Sequence, residues 1–199
     1  MSKIDPSNLI WMDLEMTGLN QDIEVIIEIA TIVTDKELNI LEEGPSIVIK
    51  QNDEYLDRMD EWNQKTHNAS GLVQRVRNST ISLAEAERMT LDFIKKYVPY
   101  NTTPLCGNSV GQDRKFLDKY MKEITDFLHY RNIDVTSVKE LIKRWYPKGP
   151  KLPKKSDAHL ALIDIRESID EMIFYRDHYF VNGAEGMAKS PTHDNEAHE

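Results

Sequence analysis

Residues 8–20, Asn-Leu-Ile-Trp-Met-Asp-Leu-Glu-Met-Thr-Gly-Leu-Asn, place two carboxylates, Asp13 and Glu15, inside an otherwise apolar run. Side chains alternate faces along an extended strand, so these two acids project to the same side and share one pocket. In a low-dielectric pocket they repel, and at least one takes up a proton unless a cation sits between them. A divalent metal suits that role. An isolated Asp-x-Glu is more often a strand end with two solvated acids, so further acids have to converge from elsewhere before the metal reading holds.

The 199 residues, 40% hydrophobic, suffice for one well-buried domain, expected over residues 1–180. Residues 181–199 set Glu185, Asp194, Glu196 and Glu199 against Lys189 and read as a disordered acidic tail. There is no run of about 18 apolar residues, and the first residues lack the apolar core of a signal peptide, so a soluble, unexported, cytoplasmic protein is expected. The single cysteine, Cys106, excludes an intrachain disulfide and reads as small core filler. A net charge of -9 argues against a protein that coats long nucleic acid, while leaving room for a short anionic substrate. Locally, Lys139, Lys143, Arg144, Lys148, Lys151, Lys154 and Lys155 face only Glu140 and form a basic segment that is either a phosphate attractor or a solvated face.

Residues 9–14, 25–33 and 46–49 read as three strands of an antiparallel meander, with a turn at residues 35–39. Residues 52–78 have poor periodicity and read as short helices and loops around Trp62 and His67. Residues 82–98 form the clearest helix: Ser82 with Glu85 makes a capping box, and Leu83, Ala86, Met89, Phe93, Ile94 and Tyr97 make one apolar stripe before Pro99. A short buried strand at residues 104–107 precedes a second capping box, Ser109 with Gln112, that opens a helix. On that helix Asp113 falls three after Val110 and four before Leu117, so a carboxylate again faces inward and is either paired or functional. A small strand at 132–135, a helix at 138–145 and a loop at 147–155 lead to a last helix from about residue 157 to 179. Asp164 flanks its apolar stripe, and His159, five positions earlier, would reach the same place from a fraying first turn.

Four acids on separated elements, Asp13, Glu15, Asp113 and Asp164, thus meet the condition, with His159 nearby. Oxygen ligands without cysteine favour magnesium or manganese over zinc. Two such ions about 3.5 to 4 Å apart can hold the attacking and leaving oxygens of a phosphodiester displacement. His159, with an ordinary pKa of about 6.5, can deprotonate the attacking water.

Asp13-x-Glu15, Asp113 and His159-x-x-x-x-Asp164 resemble the DEDDh family of 3′-to-5′ exonucleases. Asp13-Leu-Glu-Met-Thr-Gly-Leu19, Cys106-Gly-Asn-Ser-Val-Gly-Gln-Asp113, His129-Tyr-Arg-Asn-Ile-Asp-Val135 and His159-Leu-Ala-Leu-Ile-Asp164 are similar to the branch of that family that acts on very short RNA. The resemblance covers residues 4–180 and implies an α/β, ribonuclease H-like mixed five-stranded sheet flanked by helices. It implies a homodimeric exoribonuclease that cuts oligoribonucleotides, dinucleotides especially, to 5′-mononucleotides with two ions, Mg2+ or Mn2+. Asp13, Glu15, Asp113 and Asp164 would be the metal ligands and His159 the general base. Leu19 would wedge between two bases and Trp62 would stack near the 3′ end. Ser109, Arg131 and Thr136 or Ser137 would cap the 5′ phosphate, with His67 and a partner-derived Tyr130 contributing. The order Thr136-Ser137 reverses the expected Ser-Thr, which leaves open which hydroxyl touches phosphate. Outside this reading, Arg131 is a surface ion-pair residue and Trp62 a core aromatic. The competing functions are a broader DEDDh exonuclease on DNA or RNA 3′ ends, and a scaffold or nucleotide-binding protein of this fold without turnover.

Overall fold

A computed structural model describes residues 4–152 and 160–180. Five strands form one mixed sheet in the order β3-β2-β1-β4-β5. They are β1 (Leu9–Met16), β2 (Ile26–Thr34), β3 (Ile40–Val48), β4 (Leu105–Gly107) and β5 (Asn132–Asp134). The first three are the expected antiparallel meander, while β4 and β5 run parallel to β1. Around them lie α1 (Asp53–Asp57), α2 (Glu61–Ala69), α3 (Leu72–Asn78), α4 (Leu83–Ile94), α5 (Gly111–Tyr120), α6 (Lys122–Phe127), α7 (Val135–Trp145) and α8 (Ala161–Tyr179).

Both faces of the central strands are covered, which explains their near-continuous apolar sequence. One face carries Ile10, Met12, Leu14, Ile29 and Val33 against α4 and α5. The other carries Trp11, Ala30 and Ile32 against Ile165 and Ile169 of α8. Every residue of β2 is buried, Glu28 and Thr31 included. Cys106 is fully buried in the second layer, as its role of core filler requires, and burial pushes its thiol well above the usual range.

Several boundaries differ from expectation, each for a local reason. Strand β3 starts at Ile40 and runs through Pro45 instead of beginning after it. As an edge strand it tolerates the proline, and the register shifts opposite Ala30 and Ile32 absorb it. Ser82 does cap α4, accepting the Glu85 N–H at 3.2 Å. The second capping box does not form: Ser109 has φ +51°, and the first helical turn of α5 has no side-chain cap. Helix α7 starts at Val135, three residues early, because Asp134 caps it by accepting the Thr136 N–H at 2.9 Å. Helix α8 starts at Ala161 rather than near residue 157, with Leu160 extended before it. His159, Lys154, Lys155 and the tail at 181–199 lie outside the described residues.

Candidate active site

The site forms where β1 outruns its neighbour. Strand β4 pairs with β1 only at Ile10 and Trp11 and ends at Gly107, so the tip of β1 lacks a strand partner on that side. Asp113, at the start of α5, fills the gap: its Oδ1 accepts the Leu14 N–H at 3.1 Å. A buried backbone donor is thereby satisfied by a side chain in place of a strand. Gly107 permits the close approach, since a Cβ there would stand 2.9 Å from the Met12 carbonyl oxygen. On the other side of β1, Asp13 faces Ala30 and Glu15 faces Glu28, and the register shifts immediately after Glu15. A bulge next to a site re-aims the side chains around it.

Asp13 and Glu15 project toward the start of α8, as strand alternation predicts. One carboxylate oxygen from each of Asp13, Glu15 and Asp164 lies within 4.8 Å of the others. Asp113 flanks this triad without entering it, its carboxylate turned to the β1 backbone. Burial, then the neighbouring charges of Asp113, Glu15 and Asp164, holds the Asp13 carboxyl well above the usual carboxylate range. Burial and Asp164 push Glu15 up to about 8. Burial also raises Asp113, partly opposed by the hydrogen bond from Leu14. Acids that resist ionising together are suited to a divalent cation, and an all-oxygen donor set selects a hard one.

Two supporting residues were not legible in the sequence. Glu28, buried beside Glu15, accepts from Arg75 Nη1 at 2.9 Å and from Ser46 Oγ at 3.0 Å, so a cation on α3 compensates the acid behind the cluster. Its only sequence signal is a lone acid in a β-branched run, paired with Glu15 across the meander. Asp134 was read as strand, yet its Oδ1 accepts from both Ser109 N and Thr136 N at 2.9 Å, knitting the β4–α5 turn to α7.

The remaining candidates surround the cluster in different states. Leu19 is 74% exposed on the loop after β1, which is tied down by Thr17 N–H to the Val25 carbonyl at 3.0 Å and by Tyr120 OH to the Glu24 carbonyl at 2.7 Å. Trp62 is 61% exposed on α2, which excludes the core-aromatic alternative. His67 is 1% exposed beneath the end of β1, with Nε2 3.0 Å from the Met16 carbonyl and Nδ1 3.9 Å from Glu15 Oε2. It supports the strand rather than lining an open groove. Ser109 Oγ lies 3.1 Å from Thr136 Oγ1, while Ser137 is exposed at the start of α7. Tyr130 is 71% exposed, and the exposed Arg131 guanidinium sits 5.5 Å from its ring centroid. The basic segment is less available than its composition suggests: Lys139 pairs with Glu171 at 2.8 Å, and Lys143 and Arg144 both pair with Glu140.

A half-buried acid cluster at the tip of the central strand of a mixed sheet is consistent with a metal-dependent exonuclease domain, and residues 10–172 match the family model described as Exonuclease. The chain is 58% identical over 176 residues to an oligoribonuclease of Shewanella amazonensis, covering 88% of this chain and 97% of that one. It is 57% identical over 175 residues to an oligoribonuclease of Pseudomonas putida, covering 88% and 97%. The chain belongs to the oligoribonuclease family of 3′-to-5′ exoribonucleases. In fold it is similar to E. coli exonuclease I in complex with a 5cy-dT13 oligonucleotide, with a TM-score of 0.67 and 18% identity. That match covers 87% of this chain and 41% of exonuclease I, so the chain spans about two fifths of the larger enzyme. Among the described residues no helix is long and apolar enough to cross a membrane.

Proposed function

We propose that this enzyme hydrolyses very short oligoribonucleotides, dinucleotides above all, to 5′-mononucleotides. The observation that carries the reading is the convergence of Asp13, Glu15 and Asp164 within 4.8 Å, in a chain 58% identical to an oligoribonuclease. Asp13, Glu15, Asp113 and Asp164 would hold two divalent cations, Mg2+ or Mn2+, which would supply charge neutralisation and Lewis-acid polarisation at the scissile phosphodiester. His159, just before the helix that carries Asp164, takes the proton from the attacking water. Asp13 and Glu15, held above the usual carboxylate range, would have to release protons to bind cations, so affinity would rise with pH.

At the substrate's ends, Leu19 wedges between the two bases and Trp62 stacks near the 3′ end. Ser109, Arg131 and the hydroxyls of Thr136 and Ser137 cap the 5′ phosphate, the start of α7 adding a favourable dipole. Thr136 Oγ1 is already engaged by Ser109 and Asn108, which favours Ser137 as the freer hydroxyl. His67 contributes by holding the Met16 carbonyl. The large exposure of Tyr130 suits a residue completed by a second copy of the chain in a homodimer. A cytoplasmic location belongs to the same proposal.

The test is mononucleotide release from a 5′-phosphorylated diribonucleotide with manganese, with and without chelator. Rapid turnover abolished by chelator is expected. The broader reading, an exonuclease on DNA or RNA 3′ ends, draws on the fold shared with exonuclease I bound to a 5cy-dT13 oligonucleotide. Equal rates on substrates of about two, five and twenty residues would select it and sink the dinucleotide reading.

A further inference from the structure

Two of the proposed cap residues, Thr136 and Ser137, start α7, the acid Asp164 starts α8, and one side chain bridges these helices. Asn108 lies in the turn between β4 and α5, half-buried. Its Oδ1 accepts from Thr136 Oγ1 at 3.1 Å, at the start of α7. Its Nδ2 donates to Ser168 Oγ at 2.8 Å and to Glu171 Oε2 at 3.2 Å, both on α8. The carboxamide therefore uses its acceptor toward one helix and both of its donors toward the other, a division that only an amide can make.

Each end of the bridge continues into the site. On the α7 side, Thr136 Oγ1 accepts the Ser109 N–H at 2.9 Å, and Ser109 Oγ lies 3.1 Å away. These bonds hold Ser109 at φ +51°, a left-handed conformation that a non-glycine residue keeps only when its surroundings enforce it. On the α8 side, Ser168 Oγ donates to the Asp164 carbonyl at 2.8 Å, one turn below the ligand carboxylate. Glu171 is fully buried and fixed by Lys139 Nζ at 2.8 Å and Tyr175 OH at 2.7 Å. Its charge is thus compensated by a cation of α7, so the two helices are tied twice.

We propose that Asn108 is a positioning residue that fixes the spacing between the hydroxyl cluster at the start of α7 and the acid-bearing start of α8, and with it the length of substrate that can be held at both ends. The inference rests on the dinucleotide reading above. A two-residue substrate has to engage the cap and the acids together, so it is sensitive to their separation. A longer strand reaches the acids with its 3′ end whether or not its 5′ end is seated.

The test compares kcat/KM for 5′-phosphorylated oligoribonucleotides of two and five residues in wild type, Asn108→Ala, Ser168→Ala and the double variant, with thermal melts as a check on folding. Leaving buried partners unmatched is expected to cost Asn108→Ala about tenfold on the two-residue substrate and less than about twofold on the five-residue one. Ser168→Ala removes one of the two bonds from Asn108 to α8 without touching the cap and is expected to lose about threefold, again on the short substrate alone. The double variant should be no worse than Asn108→Ala, since both act through one bridge. Equal losses on both lengths in Asn108→Ala overturn the proposal. Should that variant fail to fold, equal losses in Ser168→Ala do the same. A wild-type enzyme indifferent to length overturns the dinucleotide reading itself, and this proposal with it.

Discussion

The acid cluster and the ring of proposed substrate-end residues are built on opposite principles. Asp13, Glu15 and Asp164 sit on a central strand and a helix start packed against the core, one carboxylate oxygen of each within 4.8 Å of the others, and Asp113 stands beside them bonded to the β1 backbone. Leu19, Trp62 and Tyr130 are between 61% and 74% exposed, on a loop, a short helix and a turn. The cluster is costly to assemble and is stabilised by the fold. The ring is largely exposed, and on the proposed reading it is completed by substrate or by a second subunit. On the proposed reading, chemistry rests on core-packed elements and selectivity on an exposed rim.

That contrast can be broken by substitution, the deepest residues having the largest effects. Asp13→Ala should abolish metal-dependent hydrolysis in a diribonucleotide assay while far-ultraviolet circular dichroism stays native; retained turnover would remove the two-cation reading. His159→Ala should lower kcat by about 10² to 10⁴ with little change in KM, as loss of a general base does. On the rim, Trp62→Ala should weaken dinucleotide binding by about tenfold, the scale of one base–aromatic stack, visible as a raised KM with kcat largely kept. Arg131→Ala should lower activity on 5′-phosphorylated dinucleotides several-fold and spare longer RNA; equal losses at all lengths would detach Arg131 from the 5′ end.

The smallest effect concerns stability. In the metal-free protein Glu15, pushed up to about 8 from its ordinary 4.5, keeps a proton that the unfolded chain has released. Between those values the folded state binds more protons, so metal-free stability falls as pH rises from about 4.5 to about 8. Calorimetry in chelator at about pH 5.5 and about pH 8 should show a lower Tm at the higher pH, by a few degrees per kcal/mol. Manganese should raise Tm more at the higher pH; a Tm indifferent to both would show that Glu15 is not held protonated.

Much of the cluster could be read from the chain, because strand alternation placed Asp13 with Glu15 and helical spacing turned Asp113 inward. Ser82 as a helix cap was equally legible, being a local hydrogen bond three residues long. Ser109 was misread by the same rule, since its backbone adopts φ +51° under the pull of Asp134 and Thr136, about 25 residues away in sequence. Glu28 with Arg75, and Asn108 with Ser168 and Glu171, meet only after the sheet and helices have closed. Periodicity reports which face a residue occupies; it carries no information about which distant partner waits there.

The shortness of β4 has a consequence for how this domain can change. Because β4 stops at Gly107, the Leu14 N–H is left for Asp113 to take. An insertion that lengthened β4 by two residues would be welcomed by any measure of sheet quality, completing a ladder and removing a gap. It would also evict Asp113 from its seat and close off the tip of β1 where Asp13 and Glu15 stand. The enzyme's sheet is held incomplete at one position, and improving it as architecture would erase it as a catalyst.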